Sequence, residues 1–160
     1  MKELVSIAEQ VAAKLIARKQ TIAVAESSAG GLISASLLTV PGASAYFLGG
    51  AVVYTRDASR ALMDISDEGM KGFRSSSEPY AQLLAERMRS RFGSDWGLSE
   101  TGAAGPTGNR YGDAAGHSCM AVAGPASEVM TLETGNNDRF GNMQVFAATA
   151  LKLLLERLEG

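Results

Sequence analysis

The stretch "ESSAGG" at residues 26–31 puts a carboxylate, two hydroxyls and paired glycines into six consecutive positions. A serine here could attack an electrophilic carbon. Gly30 and Gly31 would let the backbone come close to a ligand, and the N–H groups that open the next helix could hold a phosphate or a developing oxyanion. The same residues also admit a plain reading, in which Ser27 or Ser28 caps that helix and the glycines pack it on a sheet. A second glycine-rich stretch, "TGAAGPTGNRYGDAAG" at 101–116, holds five glycines and a proline in sixteen residues. Loops this long within a compact domain are usually functional or disordered. Neither stretch has the Gly-Lys-Ser/Thr ending of a phosphate-binding loop, nor the dinucleotide fingerprint. Each follows an expected strand, so the two should share one pocket.

Composition limits what such a pocket can do. His117 and Cys119 are each the single residue of their type. This rules out an internal disulfide and leaves a zinc cluster or an ordinary Ser-His-Asp triad hard to build, so neither metal nor cofactor is expected. His117 reads as structural and Cys119 as a small core residue. The formal net charge is −2, without a basic run, so nucleic acid is not an expected partner. No apolar run approaches the ~20 residues needed to span a bilayer, and the first residues do not resemble a signal peptide. The expectation is a cytoplasmic protein without membrane contact, a single domain over residues 1–160, acting on a small molecule as a homo-oligomer, most simply a dimer.

The elements that must position these residues follow from periodicity. Leu4, Val5, Ala8, Val11, Ala12, Leu15 and Ile16 predict a helix over 2–18, and "TIAVAE" a buried strand feeding a helix from Ala29 to Thr39. A strand at 48–55, a helix at 56–63 and a loop at 64–76 follow, then a helix over 77–92 with Ser77 as N-cap and Pro79 in its first turn. Strands at 96–100, 117–124 and 128–135 precede a closing helix over 139–158, with Val145, Phe146, Thr149, Leu153 and Leu154 facing inward. This order predicts an α/β fold, a three-layer α-β-α domain with a mixed sheet and its site at the strand ends. Glu26 reads as serving the helix's first turn or an interface, while Arg110 and Asp113 read as solvated.

Taken together, "AESSAGG", "VPGASAYFLGGAVVYT", "TGAAGP" and the late "NDR" resemble the CinA C-terminal domain family, the nicotinamide-nucleotide amidohydrolases, over nearly the whole chain. The resemblance implies hydrolysis of the carboxamide of nicotinamide mononucleotide, with release of ammonia, by a serine nucleophile without an obligatory metal. It places the nucleophile at Ser27 and a catalytic tyrosine at Tyr54. Substrate-binding positions carry over as Ser28, Gly30, Gly31, Thr101, Gly102, Gly105 and Arg139, the last suited to fork onto a phosphate. Two departures stand out. Ser28-Ala29 replaces the family's Cys-Thr, and Ser59 stands in "YTRDAS" where the family has a lysine. A histidine-free serine hydrolase needs another base, and Arg60 beside Ser59 stays protonated. The alternative is therefore an impaired ligand-binding or assembly module that keeps the pocket. A second late arginine is also missing, with Asn142 and Met143 in its place.

Overall fold

A computed structural model describes all residues from Met1 to Gly160. The elements run α1 (Lys2–Arg18), β1 (Ile22–Glu26), α2 (Leu32–Leu38), β2 (Phe47–Val52), α3 (Arg56–Met63), α4 (Glu78–Phe92), β3 (Trp96–Ala103), β4 (His117–Ala123), β5 (Glu128–Glu133) and α5 (Arg139–Glu159), with one short 3-10 turn at Ala43–Ala45. The sheet order is β2-β1-β3-β4-β5. β2 and β3 pair parallel with β1, whereas β4 pairs antiparallel with β3 and β5 antiparallel with β4. The expected three-layer fold with a mixed sheet is the observed one.

Alternation along the strands sorts side chains between the layers. Ile22, Val24, Trp96, Leu98, Met120 and Val122 join one core with α1, α2 and α5, containing Leu4, Leu15, Ile33, Phe146, Leu151 and Leu154. The opposite face is built from small residues: Ala23 and Ala25 under Met63, Tyr80, Leu84 and Met88, and Cys119, Ala121 and Ala123 under Ala81 and Ala85. Helix α4 consequently lies close on the sheet. A Cβ added at Gly97 would stand 2.1 Å from the Ala85 carbonyl oxygen, and the Ser99 hydroxyl donates to the Ala81 carbonyl.

Boundaries moved where tertiary contacts outweighed local pattern. Helix α2 starts at Leu32 rather than Ala29, because Gly30 and Gly31 take φ of 66° and 100° and hold the chain in a turn. Strand β3 continues through Ala103, paired with His117 of β4, so Thr101 and Gly102 are strand residues and not loop. Val145 is exposed and Thr149 half-buried on α5, against expectation, since the inward stripe runs through Asn142, Phe146, Ala147, Ala150, Leu151 and Leu154. On α1, Ile16 is exposed and Ile7 takes its place in the core. Ser77 caps α4 as expected, accepting from the Tyr80 N–H at 3.3 Å.

Since a backbone carbonyl cannot move aside as a side-chain tip can, Gly97→Ala should cost about 1–3 kcal/mol. Urea unfolding of the variant against the parent measures the loss.

Candidate functional site

The three parallel strands end on one edge of the sheet, and each delivers a residue there: β1 runs into Ser27, β2 into Tyr54, and β3 carries Thr101 and Gly102. Both β1 and the apolar part of β3 close on a glutamate, Glu26 and Glu100, each fully buried. Each carboxylate organises the turn around "SSAGG". Glu26 accepts from the N–H groups of Gly31 (3.0 Å), Ile33 (3.0 Å) and Ser34 (2.9 Å), which makes it the cap of α2. Glu100 accepts from the N–H groups of Ser27 at 3.1 Å and Ala29 at 2.7 Å, and from the hydroxyls of Ser28 and of Ser118 at 2.9 Å. Burial pushes the Glu100 carboxyl above its usual range, against the pull of the hydrogen bonds from Ser28, Ala29, Ser27 and Ser118.

Neither serine caps the helix. The Gly30 N–H turns back to the Ser27 carbonyl and the Leu32 N–H to that of Ala29. From Ser27 to Ser34 every backbone N–H is thus engaged within the chain except that of Ser28. The Ser27 backbone is tied to Glu100, but its hydroxyl makes no hydrogen bond to the protein and faces a hollow.

That hollow holds about 330 Å³, and its lining includes Ser27, Tyr54, Arg56, Ser76, Thr101, Gly102 and Tyr111. A second one of about 210 Å³ is lined by Ser28, Tyr54, Gly102, Gly105 and Arg139 among others. Tyr54, Gly102 and Asn109 belong to both, so the two hollows adjoin along these residues. A broader depression between Ala114–Ala115 and Thr134–Asn137 carries no side chain that ionises. Ser27 and Thr101 therefore share a wall, and Arg139 lies next door. Gly30 and Gly31 line neither hollow, and their N–H groups are spent on the Ser27 carbonyl and Glu26, where the pair shapes the turn.

Arg139, in the first turn of α5, donates to the Gly105 carbonyl and, at 3.1 Å, to the Tyr54 hydroxyl. Asn142 stands one turn later, in the place of the missing arginine, and braces the same loop by donating to the carbonyls of Ala104 and Asn136, both at 2.8 Å. Beyond β3, the N–H groups of Ala104, Gly105, Thr107 and Gly108 have no acceptor within the chain, and all four residues line the smaller hollow. Unpaired amides beside a guanidinium favour an anion.

Ser76 closes the other side with φ of 57°, a costly conformation for a residue with a side chain. Its N–H donates to the Thr101 hydroxyl at 3.1 Å and its carbonyl accepts from His117 Nε2 at 2.7 Å. His117 Nδ1 meets Glu133 at 2.5 Å and Asp113 stands 3.6 Å from Nε2. With an acceptor at each nitrogen, the ring is suited to imidazolium. Burial pulls its pKa down, but Glu133, the Ser76 carbonyl and Asp113 outweigh burial and hold it above 6.5. His117 is structural, as expected. Cys119 is buried and burial pushes its thiol up, which fits an inert core residue.

Asp113 is not solvated as expected. It bridges Arg74 at 2.7 Å and accepts from Asn109 at 2.8 Å. Ser59 lies buried on α3 with its hydroxyl on Tyr80, outside both hollows. Glu100 was the residue missed in the sequence, although a charge inside the apolar run "WGLSE" was the available signal.

These features define an α/β domain with a serine and an arginine at the carboxyl ends of its parallel strands. A family model described as the CinA C-terminal domain matches residues 4–158, and the chain belongs to that family. It is 33% identical over 158 residues to a CinA-like protein of Desulforapulum autotrophicum, covering 98% of this chain and 37% of that protein. A CinA-like protein of Chlorobium limicola is 36% identical over 152 residues, 92% of this chain and 35% of its own length. The chain thus spans little more than a third of these relatives. Among solved structures, a CinA superfamily protein from Klebsiella pneumoniae superposes with a TM-score of 0.90 at 25% identity, covering 98% of both chains. The competence/damage inducible protein CihA from Agrobacterium tumefaciens gives 0.90 at 25% identity, covering 99% of this chain and 96% of its own. No helix is long and apolar enough to cross a membrane.

Two measurements test this wiring. Glu100→Ala removes the acceptor shared by two amides and two hydroxyls and should cost at least about 3 kcal/mol, whereas Glu100→Gln keeps an acceptor for the amides and should cost less; denaturant unfolding compares them. The folded protein binds the His117 proton more tightly than the unfolded chain does. That contribution is complete below 6.5 and is lost as pH rises through the higher folded value. Unfolding free energy followed against pH should show this loss in the parent and not in His117→Gln.

Proposed function

We propose that the chain hydrolyses the carboxamide of a nicotinamide nucleotide, with Ser27 as nucleophile. The observation that carries this is the Ser27 hydroxyl, free of protein partners, on a backbone clamped to Glu100 and facing a hollow that adjoins the one lined by Arg139. A nucleophile needs a fixed position and an unspent lone pair. The amide carbon would sit over Ser27. The Ser28 N–H, the unengaged donor of its turn, would stabilise the oxyanion on attack, and Tyr54 would orient the substrate between the two hollows. A phosphate would lie in the smaller hollow against Arg139 and the open amides of residues 104–108. This reading needs no metal or cofactor, and its partner is a small molecule.

One observation favours a second reading, a ligand-binding module without turnover. The family lysine is replaced by Ser59, whose hydroxyl is committed to Tyr80, and no lysine lines either hollow.

Ammonia release from nicotinamide mononucleotide separates the readings, and it should fall to background in Ser27→Ala. Arg139→Ala should raise KM for the nucleotide about 10- to 100-fold while leaving binding of free nicotinamide nearly unchanged. Nucleotide binding without ammonia release would favour the module.

A further inference from the structure

Twelve residues line the hollow beneath Ser27, and the four of them with ionisable side chains are Tyr54, Arg56, Arg110 and Tyr111. Arginine does not give up its proton in a protein. Histidine is unavailable, since both His117 nitrogens are held by Ser76 and Glu133, and Glu100 already serves four donors. Two phenols remain. Tyr54 is 59% exposed and has a single guanidinium against it, that of Arg139. Tyr111 is set differently. The Arg74 guanidinium lies 5.1 Å from its ring centre and that of Arg110 lies 5.2 Å away. Arg110 Nη2 also donates to the hydroxyl at 3.1 Å.

Resting on the amide-hydrolase reading, we propose that Tyr111 is the catalytic base of this site, taking the Ser27 proton in place of the absent family lysine. Two cations beside a phenol stabilise its anion. The Arg110 hydrogen bond above all, against some burial and helped by hydrogen bonding at Ser75, holds the Tyr111 hydroxyl below the usual tyrosine range. The charged and titratable groups around it are Arg110 and Asp113 of its own loop, Arg74, Arg56 of α3, Tyr54 and Tyr80 of α4. The ring is positioned by structure already described, because Asn109 Oδ1 accepts from the Tyr111 N–H at 3.0 Å and its amide donates to Asp113, which Arg74 bridges.

In the step itself, the phenolate removes the Ser27 hydroxyl proton as Oγ bonds to the amide carbon and the carbonyl electron pair moves onto oxygen. Collapse of that adduct breaks the C–N bond, and the phenol passes its proton to the nitrogen, which leaves as ammonia. Water then yields a proton to the phenolate as its oxygen attacks the acyl ester. The Ser27–acyl bond breaks, and the proton returns to Oγ. The sum is amide plus water to acid plus ammonia.

Tyr111→Phe keeps the ring and removes the hydroxyl. With nicotinamide mononucleotide as substrate, kcat should fall about 100- to 10,000-fold with KM little changed. In the parent, kcat/KM should rise with pH to a limb below the ordinary phenol value of about 10, and Tyr111→Phe should lose that limb. Tyrosinate absorbance gives a readout independent of turnover: the parent should show one tyrosine ionising early that Tyr111→Phe lacks. The inference is overturned if Tyr111→Phe keeps parental kcat and pH profile, if the early-ionising tyrosine persists in it, or if Tyr54→Phe alone removes the limb. In each of these cases loss of activity in Ser27→Ala would leave the amide-hydrolase reading standing. Parental protein that releases no ammonia would overturn both.

Discussion

The Glu100 carboxyl sits out of water between β1 and β4, and four donors converge on it: the amides of Ser27 and Ala29 and the hydroxyls of Ser28 and Ser118. A carboxyl there is tolerated because its lone pairs are used, and burial raises its pKa without unseating it. The amides it takes up would otherwise be orphans of a tight turn between strand and helix. Glu26 does the same for the first turn of α2. The two carboxyls on neighbouring parallel strands thereby define the path of residues 27–34. Of the turn itself, residues 27–31, a single hydroxyl and a single amide, those of Ser27 and Ser28, have no partner in the chain.

The rest of the site depends on how near α4 comes to the sheet. Alanines, Cys119 and Gly97 make a low surface on that face, so the backbone of α4 can approach until its Ala85 carbonyl lies where a Gly97 side chain would begin. This approach brings Ser76, just ahead of the helix, against Thr101 and His117. The left-handed conformation of Ser76 is then held from both sides by hydrogen bonds, one from a histidine anchored in turn by Glu133. Arg74 carries the same brace outward to Asp113 and Asn109, which orders the long glycine-rich loop over the hollow.

Four helices, α2 to α5, begin on the edge where β1, β2 and β3 end. Topology alone causes this, since each parallel strand must be followed by a connection that starts at its carboxyl end. Helix α5 begins there because antiparallel β5 brings the chain back to the same edge. Arg139 reaches Gly105 and Tyr54 from that position, tying the last helix to the glycine loop and to the end of β2.

Much of the architecture was legible from local pattern. Apolar spacing marked each helix and strand in order, Ser77 announced its cap, and the two glycine turns marked the strand ends where the pocket lies, because periodicity and turn chemistry act over a few residues. The family followed from motif order along the whole chain. Other features depended on partners distant in sequence. Ser28 was legible as a cap but is bound to Glu100 seventy-two residues away; Asp113 looked solvated but is bridged to Arg74 thirty-nine residues away. Thr101 and Gly102 belong to β3 only because β4 pairs with them. Ser59 looks like a vacancy in the motif until Tyr80 is seen to occupy its hydroxyl. The sequence by itself determined which elements form and where the chain turns, for local propensity and hydrophobic period suffice for that. Tertiary structure decided which polar groups are consumed and which stay free, because the burial that makes hydrogen bonds obligatory arises only when the layers close.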